Sequence, residues 1–174
     1  MKRILCVLAA GFFLLCCGCQ NTKLSQEAQA FPAAFSASVH IVHRDAEFDA
    51  VCTRTADGTV TLEMRNPEAI RTLTFIQSKE SCTVRFLGLE LKTPEVLLPD
   101  TAFLKLLYAA ADSAQNGTRC AVSVQGDSRI YSGMTEAGDT FQLEQDKEDG
   151  SLRVLTMDGQ KLQVTFSDFL IAKM

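Results

Sequence analysis

The sequence predicts a mainly β domain with one main helix (α+β), a curved antiparallel sheet packed on a helix over residues 101–115. Three observations carry this prediction. Apolar residues recur with period two through most of the chain, turn pairs containing glycine punctuate them at regular spacing, and a single segment switches to the helical period.

From Ser36 onward the alternation is plain. Val39 and Ile41 alternate with His40 and Val42, Phe48, Ala50 and Cys52 with Asp49, Val51 and Thr53, and Val60, Leu62 and Met64 with Thr61 and Glu63. The turn Ala56-Asp57-Gly58 joins the second and third of these runs, and its length decides their register. A two-residue loop would set Cys52 against Glu63 on one face. A three-residue loop with Gly58 in a left-handed conformation sets Cys52 against Leu62 and Ala50 against Met64, so the apolar sets coincide and this register is predicted.

Further strands are predicted at Leu73 to Gln77 and at Cys82 to Leu91, where Cys82, Val84 and Phe86 share a face. Gly88 reads as a bulge or kink inside that second, long strand, as expected where a sheet must curl. After Pro94 and Pro99 comes the helix. Asp100 is placed to cap it, Phe103, Leu106, Leu107, Ala110 and Ala114 form its apolar stripe, and Asn116-Gly117 supplies a left-handed stop. Strands then return at Arg119 to Gln125, Ser128 to Met134, Asp139 to Gln145, Leu152 to Met157 and Lys161 to Ile171. Gly126-Asp127, Gly138-Asp139, Asp149-Gly150 and Asp158-Gly159 mark the turns of successive antiparallel hairpins.

The first residues address the compartment. Ile4 to Leu15 is an apolar run behind Lys2 and Arg3. It is shorter than the roughly 20 residues that span a bilayer, and it reads as a secretory signal. It closes on Leu14-Leu15-Cys16-Cys17-Gly18-Cys19, which resembles the lipobox of bacterial lipoproteins, cut before a cysteine that carries a diacylglycerol. Only Cys19 has a small residue, Gly18, before it, so the resemblance implies lipidation at Cys19. The expected organisation is therefore a signal peptide over 1–18, a lipidated N-terminus and tether over 19–35, and one domain over 36–174. Within the tether, Leu24, Ala28 and Phe31 fall at helical spacing after Ser25.

Composition fits one globular domain: of 174 residues, 47% are apolar and 22% charged. The net charge of −4 becomes −6 without Lys2 and Arg3, which gives the domain no electrostatic reason to bind nucleic acid. Of seven cysteines, Cys6, Cys16 and Cys17 leave with the signal and Cys19 takes lipid. Cys52, Cys82 and Cys120 remain, too widely spaced for zinc knuckles; they read as small buried thiols, with room for one disulfide outside the cytosol.

The order of parts also resembles a known family. An early hairpin is followed by Asn66-Pro67-Glu68-Ala69-Ile70-Arg71-Thr72-Leu73-Thr74-Phe75, then Val84-Arg85-Phe86-Leu87-Gly88-Leu89, a single helix, more strands and a closing Val164-Thr165-Phe166-Ser167-Asp168-Phe169. This is similar to small extracytoplasmic lipoproteins with a LolA- or LppX-like fold, and it covers most of residues 36 to 171. The resemblance implies an open half-barrel with its concave face covered by helix, and a hydrophobic or lipid-like ligand, or a lipidated molecule, held between sheet and helix. Phe48, Leu62, Phe75, Phe86, Leu89, Phe103 and Leu107 are the expected lining of that space, each with plain core as its competing role. The alternative is a protein-interaction or envelope-sensing module on the same fold.

Catalytic chemistry is not expected, and neither cofactor nor metal is implied. His40 and His43 are three apart on one strand and point to opposite faces. The acidic run Gln145 to Gly150 places Lys147 where a calcium ligand would stand, so it reads as a hairpin tip. Gly126-Asp127-Ser128-Arg129-Ile130 begins like a nucleophile elbow but lacks its final glycine and sits in a hairpin.

Overall fold

The computed structural model describes residues 31–94, 102–117 and 119–172. The expected signal, lipobox with Cys19 and most of the expected tether lie outside these residues, and the cap expected at Asp100 is a correction: the helix starts at Phe103 with Ala102 as its N-cap. Phe31 and Phe35 are buried in the core, so the packed unit reaches back ahead of Ser36.

Eleven strands form one unclosed, curved antiparallel sheet in the order β6-β5-β4-β3-β2-β1-β11-β10-β9-β8-β7. β1 (Phe35–His43) sits in the middle, and β2 (Ala46–Arg54), β3 (Val60–Asn66), β4 (Thr74–Gln77), β5 (Ser81–Phe86) and β6 (Leu89–Pro94) step outward to one edge. The chain then crosses the concave face in helix α1 (Phe103–Asn116) to the opposite edge, β7 (Cys120–Gln125). From there β8 (Ser128–Met134), β9 (Thr140–Asp146), β10 (Leu152–Met157) and β11 (Leu162–Ile171) step back, and β11 pairs with β1.

Laid flat, such a sheet would be about 48 Å across at the usual strand spacing, whereas a helix of 14 residues is about 21 Å long, so the helix by itself covers less than half of that width. Register breaks between Ser36 and Ser38, Asp49 and Ala50, and Leu152 and Val154 lie along the strands that bend.

The register predicted for the β2–β3 hairpin is the observed one: Ala50 pairs with Met64 and Cys52 with Leu62 around a loop closed at Thr55 and Thr59, with Gly58 at φ 87°. The Asn116-Gly117 stop is also present, Gly117 adopting φ 64° after the last helical residue. Gly88 is a correction. It does not kink one long strand but turns the chain, with Leu87 at φ 51° and Gly88 at φ 82° forming a two-residue loop between β5 and β6. Positive φ at both central residues is the twist a two-residue hairpin needs, and here a leucine accepts it where asparagine or aspartate is usual.

Cross-strand pairs share a face, so the concave surface can be followed row by row. Ala37, Val39, Ile41, Cys52, Leu62 and Met64 fill it beside Val164, Leu155, Met157, Leu143 and Tyr131. Onto them α1 presses Leu104, Leu106, Leu107, Ala110, Ala111 and Ala114. Burying a leucine-sized side chain contributes about 1.5–3 kcal/mol, so this shared layer is what holds helix to sheet.

Candidate functional site

One row of cross-strand partners runs from the centre of the sheet to its β6 edge: Ala37, Cys52, Leu62, Phe75, Val84 and Leu91. Every member is apolar, but their surroundings change along the row. Leu62 is 0% exposed beneath the helix, Phe75 and Val84 are half-buried, and Leu91 is 66% exposed. In the neighbouring row, half-buried Phe86 pairs with Leu89, which is 75% exposed. The apolar face therefore continues beyond the reach of its cover, and the β4–β6 wing offers a concave hydrophobic strip to solvent.

Phe103, in the first turn of α1, marks the border. Its ring stacks on Phe48 at 5.5 Å, meets Phe75 edge-on at 5.9 Å and lies 6.2 Å from the ring of His43. Aromatic contacts of this kind add about 0.5–1.5 kcal/mol beyond the area they bury. His43 points its Nε2 into this packing with no hydrogen-bond partner among the described residues. Burial, reinforced by neighbouring Arg44, lowers its pKa. His40 stands on the other face, where its Nδ1–H donates to Asp49 at 2.7 Å.

The expected lining residues thus separate into two groups. Phe75, Phe86, Leu89 and Phe103 come together around the open wing, with Phe48 behind Phe103. Leu62 and Leu107 are fully packed core. Leu89 does not lie beneath the helix, because the turn at Leu87-Gly88 carries it onto the edge strand. The side chains that face each other between α1 and the sheet are buried.

Other depressions have different chemistry. The outward side of α1 floors a groove of about 510 Å³ between Lys79 of the β4–β5 turn and the β8–β9 turn. Lys105, Asp112, Arg119, Glu136 and Asp139 give it mixed charge beside apolar Leu106, Ala109, Met134 and Ala137.

Two buried features were not anticipated. Arg54 is only 1% exposed. It donates from Nη1 to the Ala33 carbonyl at 2.6 Å and lies 6.0 Å from the centre of the Phe31 ring. Burial lowers its pKa, and the fields of Asp112, Tyr108 and Asp57 oppose that. Its place after Ala50 and Cys52 on the apolar face of β2 was the available signal. Phe31 also meets Tyr131 edge-on at 5.7 Å, and the Tyr131 hydroxyl donates to Gln145 Oε1 at 3.0 Å. Phe31 is thereby held between Arg54 of β2 and Tyr131 of β8.

Several side chains of catalytic residue types have structural surroundings. Ser128 opens β8 and donates to Glu144 at 2.5 Å while accepting from Arg153 at 3.0 Å. Cys52, Cys82 and Cys120 are free and buried. Burial pushes the Cys52 thiol up to about 12 and the Cys120 thiol up to about 11, and it raises Cys82 as well, which keeps all three protonated and unreactive at neutral pH. The acidic run after β9 is a hairpin tip: Asp146 accepts from the Glu148 and Asp149 amides and pairs with Arg153, which together hold its carboxyl below the usual range. Among the described residues no group of three or more His, Cys, Asp or Glu side chains is placed to hold a metal ion, and no helix is long and apolar enough to cross a membrane.

The class that emerges from the described residues is an open, curved antiparallel half-barrel with a helix on its concave face. No family model and no curated sequence matches the chain. Among solved structures it is similar to an uncharacterized conserved protein from Thermus thermophilus, at 11% identity and TM-score 0.53, over 89% of this chain and 90% of that one. A LolA superfamily protein from Nitrosomonas europaea aligns at 7% identity and TM-score 0.47, over 90% and 96%. LprF from Mycobacterium bovis aligns at 12% and 0.40, over 87% and 95%. At such identities the likeness concerns the fold.

Proposed function

We propose that the protein is a lipoprotein anchored to the extracytoplasmic face of a membrane through Cys19, with 1–18 removed as signal and 19–35 as tether, and that its half-barrel binds a hydrophobic, lipid-like ligand. The observation that carries the binding role is the uninterrupted apolar row from Leu62 to Leu91, which leaves the shelter of α1 and remains apolar to the edge. An acyl chain laid along Phe75, Val84, Phe86, Leu89 and Leu91 would cover surface that otherwise meets water, at about 25 cal/mol per Å². In this reading the ligand lies in the open wing, where the apolar row is exposed.

The test is titration of the full-length protein with a fluorescent fatty acid. Saturable binding is expected, weakened at least about tenfold by L89D/L91D at an unchanged unfolding midpoint. Binding that ignores this double substitution would refute the site. For the anchor, C19S is expected to move the protein from the membrane fraction to the soluble one; unchanged retention would refute it. The protruding turn residue Leu87 favours a second reading, in which the same strip receives an apolar segment of an envelope protein. That reading predicts no saturable fatty-acid binding, together with loss of a protein cross-link in L87D.

A further inference from the structure

The two edges of the sheet are built to different rules. β6 reads Leu-Glu-Leu-Lys-Thr-Pro, and its Glu90, Lys92 and Pro94 are the kinds of residue that keep a free edge from pairing with another strand. β7 reads Cys-Ala-Val-Ser-Val-Gln, with no charge and no proline. Among the described residues β7 has a strand neighbour on the β8 side alone. Ala121, Ser123 and Gln125 are exposed, and Val124 is 46% exposed.

The register shows which backbone groups are free for another strand. The Arg119 carbonyl accepts from the Met134 amide at 3.1 Å, and Arg119 is one step before the Cys120–Gly133 pair. Antiparallel alternation then turns the amides and carbonyls of Ala121, Ser123 and Gln125 toward β8, and those of Cys120, Val122 and Val124 outward.

We propose that β7 is a dimerisation edge, pairing antiparallel with β7 of a second copy of this chain. The outward residues fit one two-fold register, in which Val122 faces Val122 of the other copy and Cys120 faces Val124. That pairing forms on the order of six backbone hydrogen bonds and sets apolar side chains of both copies on the same concave side. No charges oppose each other in it. Pairing β7 with β6 of the next molecule would instead build an open filament, and Glu90, Lys92 and Pro94 oppose it; what remains is the closed, two-fold contact. This inference does not depend on the ligand reading.

Val124→Pro is the informative variant: its amide points away from β8, so proline there removes a donor from the intermolecular ladder and leaves the β7–β8 ladder intact. The full-length protein in mild detergent would be examined by sedimentation from about 5 to 500 µM, alongside hydrogen exchange of its amides. The expected result is a concentration-dependent dimer with protected Val122 and Val124 amides. V124P should raise the dimer dissociation constant at least about tenfold, and L91K on β6 should not change it. V124K is the second variant should the proline hinder folding. A monomer at every concentration, or a dimer that survives V124P or V124K in a protein with native β8 exchange, would overturn the proposal.

Discussion

The two wings of the half-barrel solve opposite problems. In the β4–β6 wing the concave face is left open, with Leu89 and Leu91 in solvent, while the edge is guarded by Glu90, Lys92 and Pro94. In the β7–β10 wing the face is filled by Tyr131, Phe141, Leu143 and Leu155, while the edge carries no guard. An apolar face and an unpaired edge are both liabilities in water, and each wing retains one of them. A protein that keeps one exposed face and one exposed edge has two separate surfaces to offer, one suited to a ligand and the other to another strand.

The sharpest way to break the contrast is to empty the filled wing. L143A removes a side chain packed between Tyr131 and Leu155, and should cost about 2–5 kcal/mol in urea denaturation. A loss within about 0.5 kcal/mol would mean the wing is loosely packed. Overfilling the same wing should cost less. At Gly133 an added methyl would sit 2.7 Å from the Phe141 ring and 2.9 Å from the Arg119 carbonyl, so G133A should destabilise by about 1–3 kcal/mol in the same assay.

At the border between the wings the handle is pH. His43 has a lowered pKa in the folded chain, so the unfolded chain takes up the proton first as pH falls. Stability is therefore full above the ordinary value of 6.5 and declines below it. H43F, which replaces one ring beside Phe103 with another, should flatten the stability curve between about pH 7 and 5.5; a curve that keeps its slope would contradict this assignment. The smallest stability effect belongs to the open wing. L91S should change unfolding free energy by no more than about 0.5 kcal/mol, because its side chain is already in water. A loss as large as that of L143A would show that the strip is packed, and would erase the difference between the wings.

Several elements were legible in the sequence because their signals are local. Period-two alternation gave the strands, the coincidence of Ala50 and Cys52 with Met64 and Leu62 gave the register of the β2–β3 hairpin, and Asn116-Gly117 gave the helix stop. Each depends on neighbours a few residues apart, where backbone geometry and pattern constrain one another. The turn at Gly88 escaped because a leucine, not an asparagine or aspartate, takes the left-handed conformation before it. Alternation also says which side chains share a face but not what stands opposite them. Leu62 and Leu91 belong to one apolar row, and only the path of α1 across a curled sheet makes the first core and the second surface. The same holds for Arg54 and Phe31, whose burial follows from the meeting of β2, β8 and the N-terminal segment. The sequence by itself determined strands, helix and the alternation of their faces; the tertiary structure decided which apolar face stayed open and which edge stayed bare, because both depend on contacts between residues far apart in the chain.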